Sequence, residues 1–135
     1  MRRLIAALTV SIVLVGCGQG VWLSRQDAIN HSTGEKGVAS VTRREAKLMT
    51  WDEFVRTSQV QNAAQYAPPG KQRVWLVAVS GEVALRGAHE HWVIFVYNAV
   101  TGATIGAIPG PFDQTTGEAV GDTWPPDWGS FPDHA

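Results

Sequence analysis

Two stretches of the chain are apolar at consecutive positions. Residues 73–85 (RVWLVAVSGEVAL) and 91–100 (HWVIFVYNAV) are rich in β-branched and aromatic residues. Each would be apolar on both faces of an extended chain, which predicts strands in a sheet covered on at least one side. The polar stretch 86–90 between them predicts an antiparallel connection. Asn98-Ala99-Val100-Thr101-Gly102 predicts a tight turn into a last strand over 103–108, with Gly102 able to take the positive φ such a turn needs.

Helical spacing appears elsewhere. Trp51, Phe54 and Val55 stand at i, i+3 and i+4, after Thr50 and with Glu53 three residues on, which predicts a capped helix over 50–59. Ser24 followed by Asp27 is a similar signal and predicts a short helix over 25–32, stopped near Gly34. Val38, Val41, Ala46 and Leu48 fit no single period. A strand covering much of 38–49 with a central irregularity is the reading adopted, against a competing helix over 43–49. Residues 59–72, broken by Pro68-Pro69-Gly70, read as a loop. Together these elements give an α+β fold: a small antiparallel sheet of three to four strands packed with one or two short helices.

The first residues change the picture from fold to location. Arg2-Arg3 precedes thirteen uncharged residues, Leu4 to Gly16, and the single cysteine follows in Leu14-Val15-Gly16-Cys17. The run is too short to span a bilayer as a helix, which needs about 18 apolar residues. It has the charge, length and ending of an export signal closed by a bacterial lipobox. Cys17 is therefore expected to carry lipid; a buried free cysteine after a short anchor helix is the competing reading. This divides the chain into a signal peptide (1–16), a lipidated tether (17–21), a domain (22–108) and a Pro/Trp-rich C-terminal tail (109–135). Location at the extracytoplasmic face of a bacterial membrane follows from the same motif.

Removing residues 1–16 takes two arginines from the eleven basic residues. Nine then face twelve acidic ones, a net charge of −3 with histidine neutral. No basic footprint remains for nucleic acid or anionic headgroups.

The order of elements, the strand Val74–Val79 running into Ser80-Gly81, the turn Asn98–Gly102 and the opening helix around SRQDAI resemble the PepSY domain, a small module of exported bacterial proteins. Family members often have Asp where Asn98 stands. The resemblance covers about residues 22–108 and implies an α+β fold with inhibition or local regulation of extracellular peptidases. It brings no catalytic motif.

The residues offer little chemistry of their own. His89 and His91 would share one face of a strand and are weak metal candidates, because zinc takes three or four protein ligands. The competing reading of His89-Glu90-His91 is a solvated hairpin loop. No serine stands in a Gly-x-Ser-x-Gly elbow, and no phosphate-cradling glycine loop is present. Adjacent Asp52 and Glu53 suit a helix's first turn rather than a paired-carboxylate site. Trp75 and Trp92 read as sheet core, Trp51 as a helix face, and Trp22 as packing at the entry of the first helix. Trp124 and Trp128, flanking Pro125-Pro126-Asp127, either pin the tail to the domain or contact a partner. The expected function is a non-catalytic, cofactor-free, membrane-anchored interaction module, with an extracytoplasmic peptidase as the partner the PepSY resemblance implies; an envelope lipoprotein binding a small ligand or a metal is the alternative.

Overall fold

Strands that are apolar on both faces require two covers, and the fold supplies them. The computed structural model describes residues 22–60, 65 and 72–135. Residues 1–21, read as signal peptide and lipidated tether and including Cys17, and most of the 59–72 loop lie outside the described residues. The elements are α1 (Arg25–Ser32), β1 (Val38–Thr50), α2 (Trp51–Ser58), β2 (Arg73–Leu85), β3 (Ala88–Asn98) and β4 (Thr104–Pro109). The strands form one antiparallel four-stranded sheet in the order β1-β2-β3-β4.

Along β2 and β3 successive side chains go to opposite faces. Val74, Leu76, Ala78, Trp92, Ile94 and Val96 pack on one face with Met49 and with Trp51 and Phe54 at the start of α2. Trp75, Val77, Val79, Val93, Phe95 and Tyr97 pack on the other with Ala28 of α1. Both helices begin with reciprocal capping boxes. The Ser24 hydroxyl accepts from the Asp27 amide while the Asp27 carboxylate accepts from the Ser24 amide, and Thr50 and Glu53 repeat the arrangement.

The irregularity expected in β1 is a register shift between Ala39 and Arg43. Ser40 there has φ +49°. Gly81 of β2 lies against the bulge so closely that a Cβ would come within 2.8 Å of the Ala39 and Ser40 carbonyl oxygens. The bulge thus depends on a glycine in the neighbouring strand.

The connection expected over 86–90 is shorter than predicted. Arg86 and Gly87 alone make the turn, with φ +52° and +80°, the signature of a two-residue hairpin whose twist matches its strands. Ala88, His89 and Glu90 belong to β3, paired with Leu85, Ala84 and Val83.

The segment 109–135 supplies part of the first cover. Trp128 and Phe131 are each 5% exposed and join the core beside Met49, Leu76 and Ile94. Two cations on β1 hold this segment. Lys47 Nζ donates to the carbonyls of Trp128 (2.7 Å) and Phe131 (2.9 Å) and lies 5.0 Å from the Trp128 ring centre. The Arg43 guanidinium sits 3.9 Å over Trp124. Trp128→Ala is therefore expected to cost about 3–5 kcal/mol, as for other buried aromatics. Urea unfolding followed by circular dichroism checks this; a change below about 0.5 kcal/mol, the range of ordinary surface substitutions, would show that the segment lies outside the folding unit.

Candidate functional site

The His89-Glu90-His91 stretch lies in β3, so the two imidazoles do share a side of the strand, while Glu90 points away from them. His89 is exposed, His91 half-buried and Glu90 3% exposed with no partner for Oε2. Neither other histidine joins the pair. His31 of α1 stands edge-on to Tyr97 at 4.7 Å, and His134 Nε2 is 2.9 Å from Glu53 Oε1. Among the described residues no group of three or more His, Cys, Asp or Glu side chains is placed to hold a metal.

The turn residues Asn98, Thr101 and Gly102 act on the backbone. Asn98 Oδ1 accepts from the amides of Val100 (2.9 Å) and Thr101 (3.2 Å), and the Gly102 amide donates to the Asn98 carbonyl at 2.8 Å. Gly102 has φ +74°. Asn98 is well suited here because its side-chain oxygen mimics a backbone carbonyl and closes an Asx turn. The chain enters the domain against this turn. The Leu23 amide donates to the Ala99 carbonyl (2.7 Å), and the Leu23 carbonyl accepts from Trp75 Nε1 (3.0 Å). Nearby, burial pushes the Tyr97 hydroxyl far above the ordinary phenol range; Glu35 Oε1, accepting its proton at 2.9 Å, adds to the effect.

The two sheet edges differ. On β1 the outward-facing backbone is occupied from the Ala46 carbonyl to the Thr50 amide. The Ala46 carbonyl accepts from Arg25, the Leu48 amide donates to Asp133 Oδ1 (3.2 Å), the Leu48 carbonyl accepts from the His134 amide (2.8 Å), and the Thr50 amide donates to Glu53 Oε2 (2.9 Å). Asp133 is itself paired with Arg25 at 2.8 Å. On β4 the Gly110 amide donates to the Trp92 carbonyl, and the register pairs Ile108 with Ile94 and Gly106 with Val96. Antiparallel alternation then turns the N–H and C=O of Ala107 outward, together with the Pro109 carbonyl. No described residue hydrogen-bonds to this outer side. Residues 99–112 contain no charged side chain, and a proline at 109 is the sole blunting device of the kind edge strands use.

A cleft of about 100 Å³ lies beside this edge, lined by Ile108, Ile94, Trp92, Phe131, Pro125, Pro126, Ser58 and Asp127. It is mostly apolar and smaller than the roughly 150 Å³ that admits benzene in an engineered cavity. A single side chain fits its scale and character better than a free metabolite does. Asp127 is the one charged residue among those lining it.

Of the two tryptophans considered as partner contacts, Trp128 is a core residue, 5% exposed. Of the two readings, pinning the tail to the domain or contacting a partner, Trp128 takes the first: its ring is spent inside the fold. Trp124 remains half-buried under Arg43 and edge-on to Trp128 at 5.9 Å. Cys17 lies outside the described residues. Sequence reasoning missed the edge contrast; the uncharged run 99–112 was its one visible signal. Compared with family models, with curated proteins and with solved structures, the chain gives no match in any of the three.

The C-terminal contacts respond to pH. The Thr50 amide, then His134, hold the Glu53 carboxyl below its ordinary 4.5. Burial alone pushes Asp133 up, but Arg25 and the amides of Leu48 and Ala135 outweigh it and hold the carboxyl below its ordinary 3.8. A depressed folded-state pKa adds stability that is present above the unfolded value and lost as pH falls through the folded one. The urea midpoint should therefore fall below about pH 4.5 and continue falling below about 3.8. The pair Glu53→Gln and Asp133→Asn should flatten this dependence without abolishing it, because capping bonds also hold Asp27 and Asp113 low. An unchanged acid limb would mean that the 133–134 contacts do not form in solution.

Proposed function

We propose that this chain is a lipid-anchored, non-catalytic interaction module of the bacterial cell envelope, held at the extracytoplasmic face through Cys17. It binds a partner protein along β4. An extracytoplasmic peptidase is the leading partner class, by the resemblance to PepSY domains. The observation that carries the reading is the contrast between the edges: the C-terminal part of β1, Ala46 to Thr50, is closed by Arg25, Asp133, His134 and the Thr50 cap, whereas β4 leaves the Ala107 amide and carbonyl unpaired. An extended segment can add to such an edge through backbone hydrogen bonds, with an adjacent pocket selecting one side chain. The cleft at Ile108 supplies that pocket. Both faces of the sheet are already covered, so the edge is the better contact than a face.

Two experiments test this. Replacing Cys17 by Ala and fractionating cells should move the protein out of the membrane fraction, since lipid chains contribute about 0.8 kcal/mol per buried CH₂. A variant that stays membrane-bound, with wild type showing no lipid by intact mass, contradicts the anchor. The anchored protein, used as bait in envelope extracts, should co-purify and inhibit or regulate a peptidase. Ala107→Lys, which puts a charge on the open edge, should weaken capture by about ten-fold or more. Capture that is indifferent to Ala107→Lys removes β4 as the contact. A captured partner with no peptidase activity removes the peptidase.

A further inference from the structure

We infer that the end of the sheet carrying the Asn98–Gly102 turn faces the bilayer, with Trp22 and Arg73 seated among phospholipid headgroups. The inference rests on the lipid-anchor reading of Cys17 and adds an orientation and a lipid contact to it.

The tether sets the reach. From Cys17 to Trp22 there are five residue steps, at most roughly 18 Å of extended chain. Leu23 then fixes where the chain joins the fold: its amide and carbonyl are bound by the Ala99 carbonyl and the Trp75 indole, and a Cβ on Gly102 would lie 3.1 Å from Leu23 Cδ1. A lipid on Cys17 therefore holds this end of the sheet within a tether's length of the membrane.

The surface at this end suits a headgroup layer. Trp22, which the sequence places at the entry of the first helix, is 44% exposed. The guanidinium of Arg73, an exposed residue at the start of β2, lies 5.1 Å from its ring centre. An indole concentrates at the membrane–water interface because its ring is apolar and its N–H is not. A guanidinium forms paired hydrogen bonds to phosphate oxygens. The turn 99–103 beside them is uncharged. The acidic groups at this end include Asp52 and Glu53 in the first turn of α2 and Glu35 beside Tyr97; Glu53 is engaged by the Thr50 amide and His134, and Glu35 accepts from the Tyr97 hydroxyl.

The opposite end is unsuited to an anionic surface. There the Gly117 carbonyl accepts from the His89 amide, placing the hairpin with Asp113 and Glu118 beside the Arg86-Gly87 turn. Twelve residue steps of β2 separate Arg73 from Leu85, roughly 40 Å of strand. That distance exceeds the Debye length of about 8 Å several-fold, so headgroup charge does not reach those carboxylates when the turn end faces the membrane.

The test uses the lipidated protein purified from membranes. It is reconstituted into vesicles of phosphatidylethanolamine and phosphatidylglycerol, a fraction of them brominated on the acyl chain near the headgroup. Bromine quenches only tryptophans within contact range, and the other five are placed in or around the domain. Trp22→Phe should remove at least about half of the quenching, and Arg73→Glu should reduce it about two-fold while the protein still floats with the vesicles. Circular dichroism establishes that both variants fold. A vesicle-bound, lipidated protein whose quenching is unchanged by Trp22→Phe overturns this inference alone. A purified chain with no lipid on Cys17 overturns the anchor and this inference with it.

Discussion

The ammonium of Lys47 is the contact on which most of the structure turns. It projects from β1 onto the face that packs Met49, Leu76 and Ile94, and it is half-buried there. A charge in such a place needs its donors satisfied. Two of its three N–H groups go to the carbonyls of Trp128 and Phe131, and the Trp128 ring lies close by. Those carbonyls belong to a single turn, so one cation fixes both the position and the direction of the C-terminal segment. With the backbone held, the Trp128 and Phe131 rings fall onto Met49, Leu76 and Ile94 and complete the cover that α2 begins. Burying two aromatic side chains contributes a few kcal/mol each, far more than the surface ion pair of Arg25 with Asp133.

The direction given by Lys47 has a second consequence. Past Phe131 the chain runs along the outer side of β1, where Asp133 and His134 take up the Leu48 amide and carbonyl. The same segment that covers the sheet thus closes the C-terminal part of one of its edges. Nothing equivalent reaches β4 among the described residues. An antiparallel sheet has two edges, and this one covers part of the first and none of the outer side of Ala107 on the second, which is why binding is proposed there. The proposed anchor end and the open edge are compatible: β4 starts beside the Asn98–Gly102 turn and runs away from it, so a partner strand would have access along its length.

Much of the fold was legible because its signals are local. A capping box needs four residues, and both were readable as Ser24/Asp27 and Thr50/Glu53. The two-sided apolar runs of β2 and β3 read directly as strands, and the failure of any period in 38–49 read as a bulged strand. The hairpin between β2 and β3 was read too long because Glu90 is an acid in a core position and His89 and His91 carry polar side chains on the strand's other side. Polarity there reported side-chain chemistry, whereas the backbone was set by Arg86 and Gly87 adopting positive φ. The role of Trp128 was invisible for a different reason: its partner Lys47 lies 81 residues away in the chain. The candidate site was less legible still, since an open edge is a property of pairing and not of any residue type.

Hydrogen exchange at two amides tests the edge contrast most directly. Both belong to edge strands, and both point away from the sheet. Leu48 N–H donates to Asp133, whereas Ala107 N–H has no acceptor among the described residues. In the free protein Leu48 should exchange slowly, through opening of the 133–134 contacts, and Ala107 should exchange at close to the rate of an unprotected amide. Adding a captured partner should slow Ala107 and leave Leu48 unchanged. Equal, strong protection of both amides in the free protein would mean that β4 is already covered, and it would contradict the account.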